Sequence, residues 1–195
     1  MVLAAGGGTR FGGGKLLAQL HGRPLVDYPL RLVGQARASG LLERAVVVVA
    51  PDSAAIGDLA RRRGVEVVVN PTPERGLSSS LRVGLQPLGA AAAALVLLAD
   101  QPLVRLDTLA VLIAAWREGL GTFIRPRYAD GDGEPGHPVL ADRSLWPLAD
   151  ELQGDAGFGA LRPIGAAGVA VIDLPGRNPD VDTPADLHRL QGFAP

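Results

Sequence analysis

Cysteine is absent from the 195-residue chain. That gap excludes disulfides, thiolate metal sites and cysteine nucleophiles, and it removes any argument for an oxidising compartment. Net charge is −1, so the chain carries neither a global basic field for nucleic acid nor an acidic tail. The longest apolar run, 90–99, is too short to cross a bilayer, and the first residues lack the charged region and cleavage site of an export signal. With three histidines and no G-x-S-x-G, the chain does not read as a serine hydrolase. These absences predict a cytoplasmic protein of one domain, 1–195, whose partners are small molecules, with no nucleic acid and no membrane.

What the chain does hold is glycine, concentrated in one place. The apolar run Met1-Val2-Leu3-Ala4-Ala5 breaks into Gly6-Gly7-Gly8-Thr9-Arg10-Phe11-Gly12-Gly13-Gly14-Lys15. Six glycines in nine positions let backbone N–H groups approach a polyanion closely, and Arg10 and Lys15 add positive charge. Leu16 stands where a P-loop needs a hydroxyl, and no acidic residue follows at the distance a dinucleotide fold requires. The loop reads as a nucleotide loop of another kind, with a flexible turn as the bland alternative.

Continuous apolar runs at 1–5, 45–50, 65–69 and 95–99 predict buried strands, because neither face alternates with polar residues. Helical spacing at 25–38, 54–63, 79–85 and 107–116 completes the pattern. Strand and helix in alternation predict an α/β, Rossmann-like, mostly parallel sheet with helices on both faces, and ligands beyond the carboxyl ends of its strands. After Arg125 the pattern loosens, and 127–138 reads as an inserted loop or small lobe before regularity returns at 169–174 and 184–190. Trp116 and Trp146 read as core, and Arg61-Arg62-Arg63 as a solvated helix end.

The polar clusters fall where the carboxyl-end rule puts ligands. Asp100 leaves the run 95–99, poised as a metal ligand or, more plainly, as a strand-end hydrogen bonder. Asp180-Val181-Asp182-Thr183-Pro184-Ala185-Asp186 supplies a second acidic group before a helix that Pro184 starts, capped by Thr183 or Asp182. Two carboxylates facing a loop with two cations make a Mg²⁺–triphosphate site, since Mg²⁺ takes a few carboxylates together with water and phosphate oxygens. Ser78, Ser79 and Ser80 present hydroxyls and first-turn amides to a base or phosphate, or serve as redundant caps.

Taken together, Leu3 to Gly12 with Lys15-Leu16-Leu17, Gly76 to Leu81, Leu98-Ala99-Asp100-Gln101-Pro102, Gly136-His137-Pro138 and Asp180 to Pro184 resemble the MobA-like nucleotidyltransferases, most of all the molybdenum cofactor cytidylyltransferases. The resemblance implies a fold of the nucleotide-diphospho-sugar transferase type, with 1–105 as the nucleotide-binding part and about 120–165 on the acceptor side. It implies Mg²⁺-dependent transfer of CMP from CTP to the phosphate of molybdopterin or molybdenum cofactor, with release of pyrophosphate. Leu3, Ala4, Ala5 and Gly6 would line base and sugar, Gly7, Gly8, Arg10 and Lys15 would hold the triphosphate, and Ser78, Ser79 and Ser80 would contact the nucleotide. Lys15, Arg10 and Asp100 would be catalytic, Asp100 and Asp182 would hold the metal, and His137 would lie by the pterin. Ala5 tilts the implied nucleotide toward CTP over GTP. The resembled enzymes carry Gly-Asp-x-Gly-Ala-Arg where this chain has Gly154-Asp155-Ala156-Gly157-Phe158-Gly159, which leaves Arg162 as the nearest acceptor-side cation. A molybdoenzyme or its chaperone is the implied downstream partner. A transferase using GTP or a sugar-phosphate acceptor, and a binding partner without turnover, are the alternatives.

Overall fold

Runs of Val, Leu and Ala that never alternate with polar residues become the centre of one sheet in the computed structural model, which describes residues 1–8, 11–160 and 168–192. In chain order the elements are β1 (Val2–Ala4), β2 (Gln19–Leu20), β3 (Arg23–Pro24), α1 (Asp27–Ala38), β4 (Val46–Val49), α2 (Ala54–Arg62) and β5 (Glu66–Val69). They continue with α3 (Leu77–Leu85), β6 (Ala93–Leu98), α4 (Leu106–Arg117), β7 (Phe123–Tyr128), β8 (Val139–Asp142), β9 (Val169–Leu174) and α5 (Pro184–Gln191). The seven-stranded sheet has the order β5-β4-β1-β6-β8-β7-β9, and β2 and β3 form a small separate hairpin. Among the described residues no helix is long and apolar enough to cross a membrane.

Period-two alternation sorts the apolar residues of the central strands to two faces. Val2, Ala4, Val47, Val49 and Leu97 face one core with Leu30 and Val33 of α1, Ile56 of α2, and Leu109 and Leu112 of α4. Leu3, Ala5, Val46, Val48 and Val96 face the other with Leu81 and Leu85 of α3, and with Leu145 and Phe158 of two 3₁₀ segments. Both faces are covered, which is what parallel strands require.

The sequence-predicted sheet is mostly parallel as expected, with β5, β4, β1 and β6 running together and β9 beside β7. The irregular stretch after Arg125 differs from its reading as a small lobe. Phe123–Tyr128 and Val139–Asp142 are strands, and β8 pairs antiparallel with both β6 and β7, so this region extends the same sheet. Pro126 and the alternating Arg125 and Arg127 hid β7, because proline demotes a run from the strand pattern. Arg63 also differs from a solvated helix end. Its guanidinium grips the buried Asp27 with two hydrogen bonds of 2.8 Å, tying the end of α2 to the start of α1.

Candidate active site

β1 and β6 lie side by side with Leu3 opposite Leu98, so the glycine loop and Asp100 leave the sheet together. The chain after β1 returns at β4 on one side while β6 sits on the other, which opens a crevice between the two exits. Gly14, with φ 65°, turns the loop into the 3₁₀ segment Lys15–Leu17 in a conformation that side chains resist. Leu16 is buried there and Lys15 is left facing Asp100.

The third wall comes from the far end of the chain. Val181 is buried with Leu20, Leu25 and Leu190, and its N–H donates to the Asp100 carbonyl at 3.1 Å. Thr183 is the cap of α5 in a capping box with Asp186, and Asp186 Oδ2 also accepts from the Asp182 N–H at 3.1 Å. The cap therefore fixes the helix and the approach of Asp182 at once.

Lys15 Nζ donates to Asp100 Oδ2 at 2.7 Å and to Asp182 Oδ1 at 3.3 Å. Burial pulls the ammonium's pKa down, but the hydrogen bonds and charges of Asp100 and Asp182 outweigh it and leave it raised, so Lys15 stays charged. Asp100 Oδ1 is buried without a hydrogen-bond partner. A carboxylate oxygen in that state has room for a cation or a ligand's proton. Asp180 lines the mouth beside them, and the protein around it together with the charges of Asp100 and Asp182 pushes its pKa up against a hydrogen bond from Gln101.

Leu3, Ala4, Ala5, Gly6, Gly7, Gly8, Lys15, Ser80, Asp100 and Asp182 line one cleft of about 470 Å³. The other two serines do not line it. Ser79 donates its hydroxyl to the carbonyls of Thr72 and Gly76, and the Ser78 hydroxyl is buried without a partner. Asn70, which sequence reasoning passed over, is fully buried and donates to the hydroxyls of Ser79 and Ser80 at 2.8 and 3.0 Å. Its position just past the apolar run 65–69 was the available signal. Asp155 was also missed. Its carboxylate accepts from Leu77 N, and with Gly154 it packs against Gly76 at the start of α3. Arg10 and Arg162 lie outside the described residues.

His137 sits beyond the far wall, lining clefts of about 170 and 730 Å³ with Arg125. A polar chain joins the two sides: Asn178 donates to the carbonyl of His137 and to Gln101, and Gln101 donates to Asp180 at 2.6 Å. Burial, and secondarily the charge of Arg125, pushes the His137 pKa down to about 4, so the imidazole is neutral near pH 7.

Asp100 and Asp182 are hard oxygen donors, and the orphaned Asp100 oxygen leaves a coordination position open, so the pair fits a divalent cation such as Mg²⁺. No three histidine or acidic side chains converge as a complete cation site among the described residues. Water and a ligand's oxygens would have to complete the shell.

Residues 1–170 match the family model described as the MobA-like NTP transferase domain, which leaves Asp182 beyond the matched span. The chain is 30% identical to a protein of Thermococcus gammatolerans named probable molybdenum cofactor guanylyltransferase, over 78% of this chain and 74% of that one. It is 29% identical to the nicotine blue oxidoreductase of Paenarthrobacter nicotinovorans, over 97% and 94% of the two chains. Among solved structures, Rv0371c of Mycobacterium tuberculosis H37Rv superposes with a TM-score of 0.83 at 29% identity, covering 99% of this chain and 97% of that one. That mycobacterial protein has also been solved in complex with manganese.

Proposed function

This chain belongs to the MobA-like NTP transferases, and on that premise we propose that it moves a nucleoside monophosphate from a nucleoside triphosphate to the phosphate of a molybdopterin-type acceptor. The supporting observation is Lys15 clasped between Asp100 and Asp182 at the mouth of a glycine loop, with one Asp100 oxygen unpartnered. An acceptor phosphate oxygen attacks the α-phosphorus in line, the bond to the β-phosphate's bridging oxygen breaks, and pyrophosphate leaves with that electron pair. No protein nucleophile or base is required, because the attacking phosphate is already an anion. The glycine-loop amides and Lys15 hold the triphosphate and offset charge developing on the leaving group. Asp100 and Asp182 would hold a Mg²⁺ ion, which when bound supplies further positive charge at the phosphates.

For the nucleotide we propose CTP. Ala5 is buried in the cleft wall, and in the enzymes that the chain resembles an alanine at this position goes with CTP, where a glycine goes with GTP. GTP is the second reading, favoured by the naming of the Thermococcus relative as a guanylyltransferase. Pyrophosphate release with CTP and GTP, each with and without Mg²⁺ and molybdopterin, tests both. Release with CTP that requires metal and pterin is expected; faster release with GTP would reverse the nucleotide assignment. Absence of release with every pair would refute transfer. The same assay addresses the likeness to a protein named as an oxidoreductase, since hydride transfer liberates no pyrophosphate.

A further inference from the structure

We propose that Arg125 is the anion-binding residue of the acceptor side, seating a phosphomonoester where the two clefts beyond the nucleotide meet. Arg125 projects from β7 and lines both of those clefts. Its Nε donates to the carbonyl of Gly136 at 3.4 Å and its Nη2 to that of Pro135. Carbonyls orient a guanidinium without neutralising it. Arg63 and Arg127 each grip an aspartate, whereas Arg125 has no carboxylate ion pair among the described residues, and the exposed Glu134 acts on it only through space. A half-buried, oriented and uncompensated guanidinium is a fork suited to the two oxygens of a phosphate.

Two neighbours strengthen the assignment. Gly159 lies against the guanidinium: a Cβ there would stand 3.5 Å from Nη1, an ordinary contact, so the two residues share one wall of the cleft. The guanidinium carried by β7 thus stands beside the segment 154–159, where the resembled enzymes carry their own arginine. Asn178 also lines the larger cleft, and its buried Oδ1 has no partner, which offers an acceptor to an N–H or O–H of the same ligand. Burial moves the Arg125 pKa down, the direction expected of a cation short of counter-charge. Asp180 lines both this space and the nucleotide cleft, so a phosphate held by Arg125 would lie in a space that adjoins the nucleotide. The phosphate's part as nucleophile rests on the nucleotidyl-transfer reading; the anion site rests on Arg125 itself.

The first arm is steady-state kinetics with the pterin acceptor for wild type, Arg125→Gln and Arg125→Lys. Glutamine places its amide nitrogen where Nε stands, which keeps a donor for the Gly136 carbonyl while removing the charge, and thermal unfolding checks that each variant is folded. Arg125→Gln should raise the acceptor KM roughly 10- to 100-fold, the scale of a charge-assisted contact, with little change in the CTP KM. Arg125→Lys should fall between, and Gly159→Arg added to Arg125→Gln should recover part of the loss. An unchanged acceptor KM in folded Arg125→Gln overturns the proposal.

The second arm needs no turnover. With the nucleotide cleft filled by an α,β-methylene analogue of CTP, methyl phosphate is titrated and followed by its ³¹P line width. Broadening by wild type but not by Arg125→Gln supports the site even if no nucleotide is ever transferred, in which case the transferase reading alone fails. Equal broadening by both proteins, or none by wild type, overturns the Arg125 assignment.

Discussion

Lys15 is one ammonium between two carboxylates, and each of the three is worth more for the presence of the others. Removing the Asp100 charge takes away both a Lys15 partner and the orphaned oxygen that suits a cation. Asp100→Asn should lower the rate of pyrophosphate release about 10²- to 10³-fold, the loss typical of one preorganised electrostatic contact, while thermal unfolding stays close to wild type. Undiminished release from the variant would remove Asp100 from the chemistry. His137 makes a prediction about pH. Its folded pKa of about 4 lies below the ordinary 6.5, so between these values the unfolded chain binds a proton that the folded protein refuses. Stability is therefore fully present above pH 6.5 and is lost as pH falls toward 4. The loss between pH 7 and pH 5 should be about 2 kcal/mol, measured by urea unfolding. His137→Gln should flatten that part of the profile, and an equal slope in both proteins would contradict it.

At the scale of elements, two short connections hold the site in place. The capping box of α5 uses Asp186 both to cap the helix and to accept from the Asp182 N–H. Asp186→Ala should cost about 1 kcal/mol in urea unfolding, and it should also weaken metal-dependent activity because the segment carrying Asp182 loses its anchor. Gly76 adopts φ 82°, and a Cβ there would stand 2.5 Å from the Gly154 carbonyl carbon. Gly76→Ala should destabilise by at least about 1–2 kcal/mol, since the strain of left-handed backbone adds to a backbone clash. Elements built from uninterrupted local pattern were the ones legible in the sequence. The valine and leucine runs of β4 and β6 and the helical spacing of α1 and α4 declare themselves within a dozen residues. So did the glycine loop and Asp100, because each is an abrupt polar break after an apolar run. β7 was hidden by Pro126. Arg125, Asp155 and Asn178 carry no local signature, and their significance arises only when strands and loops distant in sequence come together.

For the molecule as a whole, the sheet, its two covered faces and the crevice at its carboxyl ends followed from the order of apolar runs. The antiparallel continuation through β8 and β7 did not, because pairing across a long return is a tertiary choice. Binding should be visible globally too. A nucleotide at 100 times its Kd adds about 2.7 kcal/mol to the folded state, which for a chain of this size raises Tm by about 5–10 °C. Chelating divalent cations should remove most of that rise if Asp100 and Asp182 hold a metal beneath the phosphates. An identical rise with and without chelator would argue that the glycine loop and Lys15 bind nucleotide unaided.

The contact of Lys15 with Asp182 joins residues separated by 167 positions. The first is therefore made long before the second. A chain stopped after β9 would retain every strand of the large sheet, the glycine loop and Asp100, yet lack Asn178, Asp180, Asp182 and the helix that anchors them. Such a product would keep most of its hydrophobic core but have no closed site, so competence waits for the residues that follow β9.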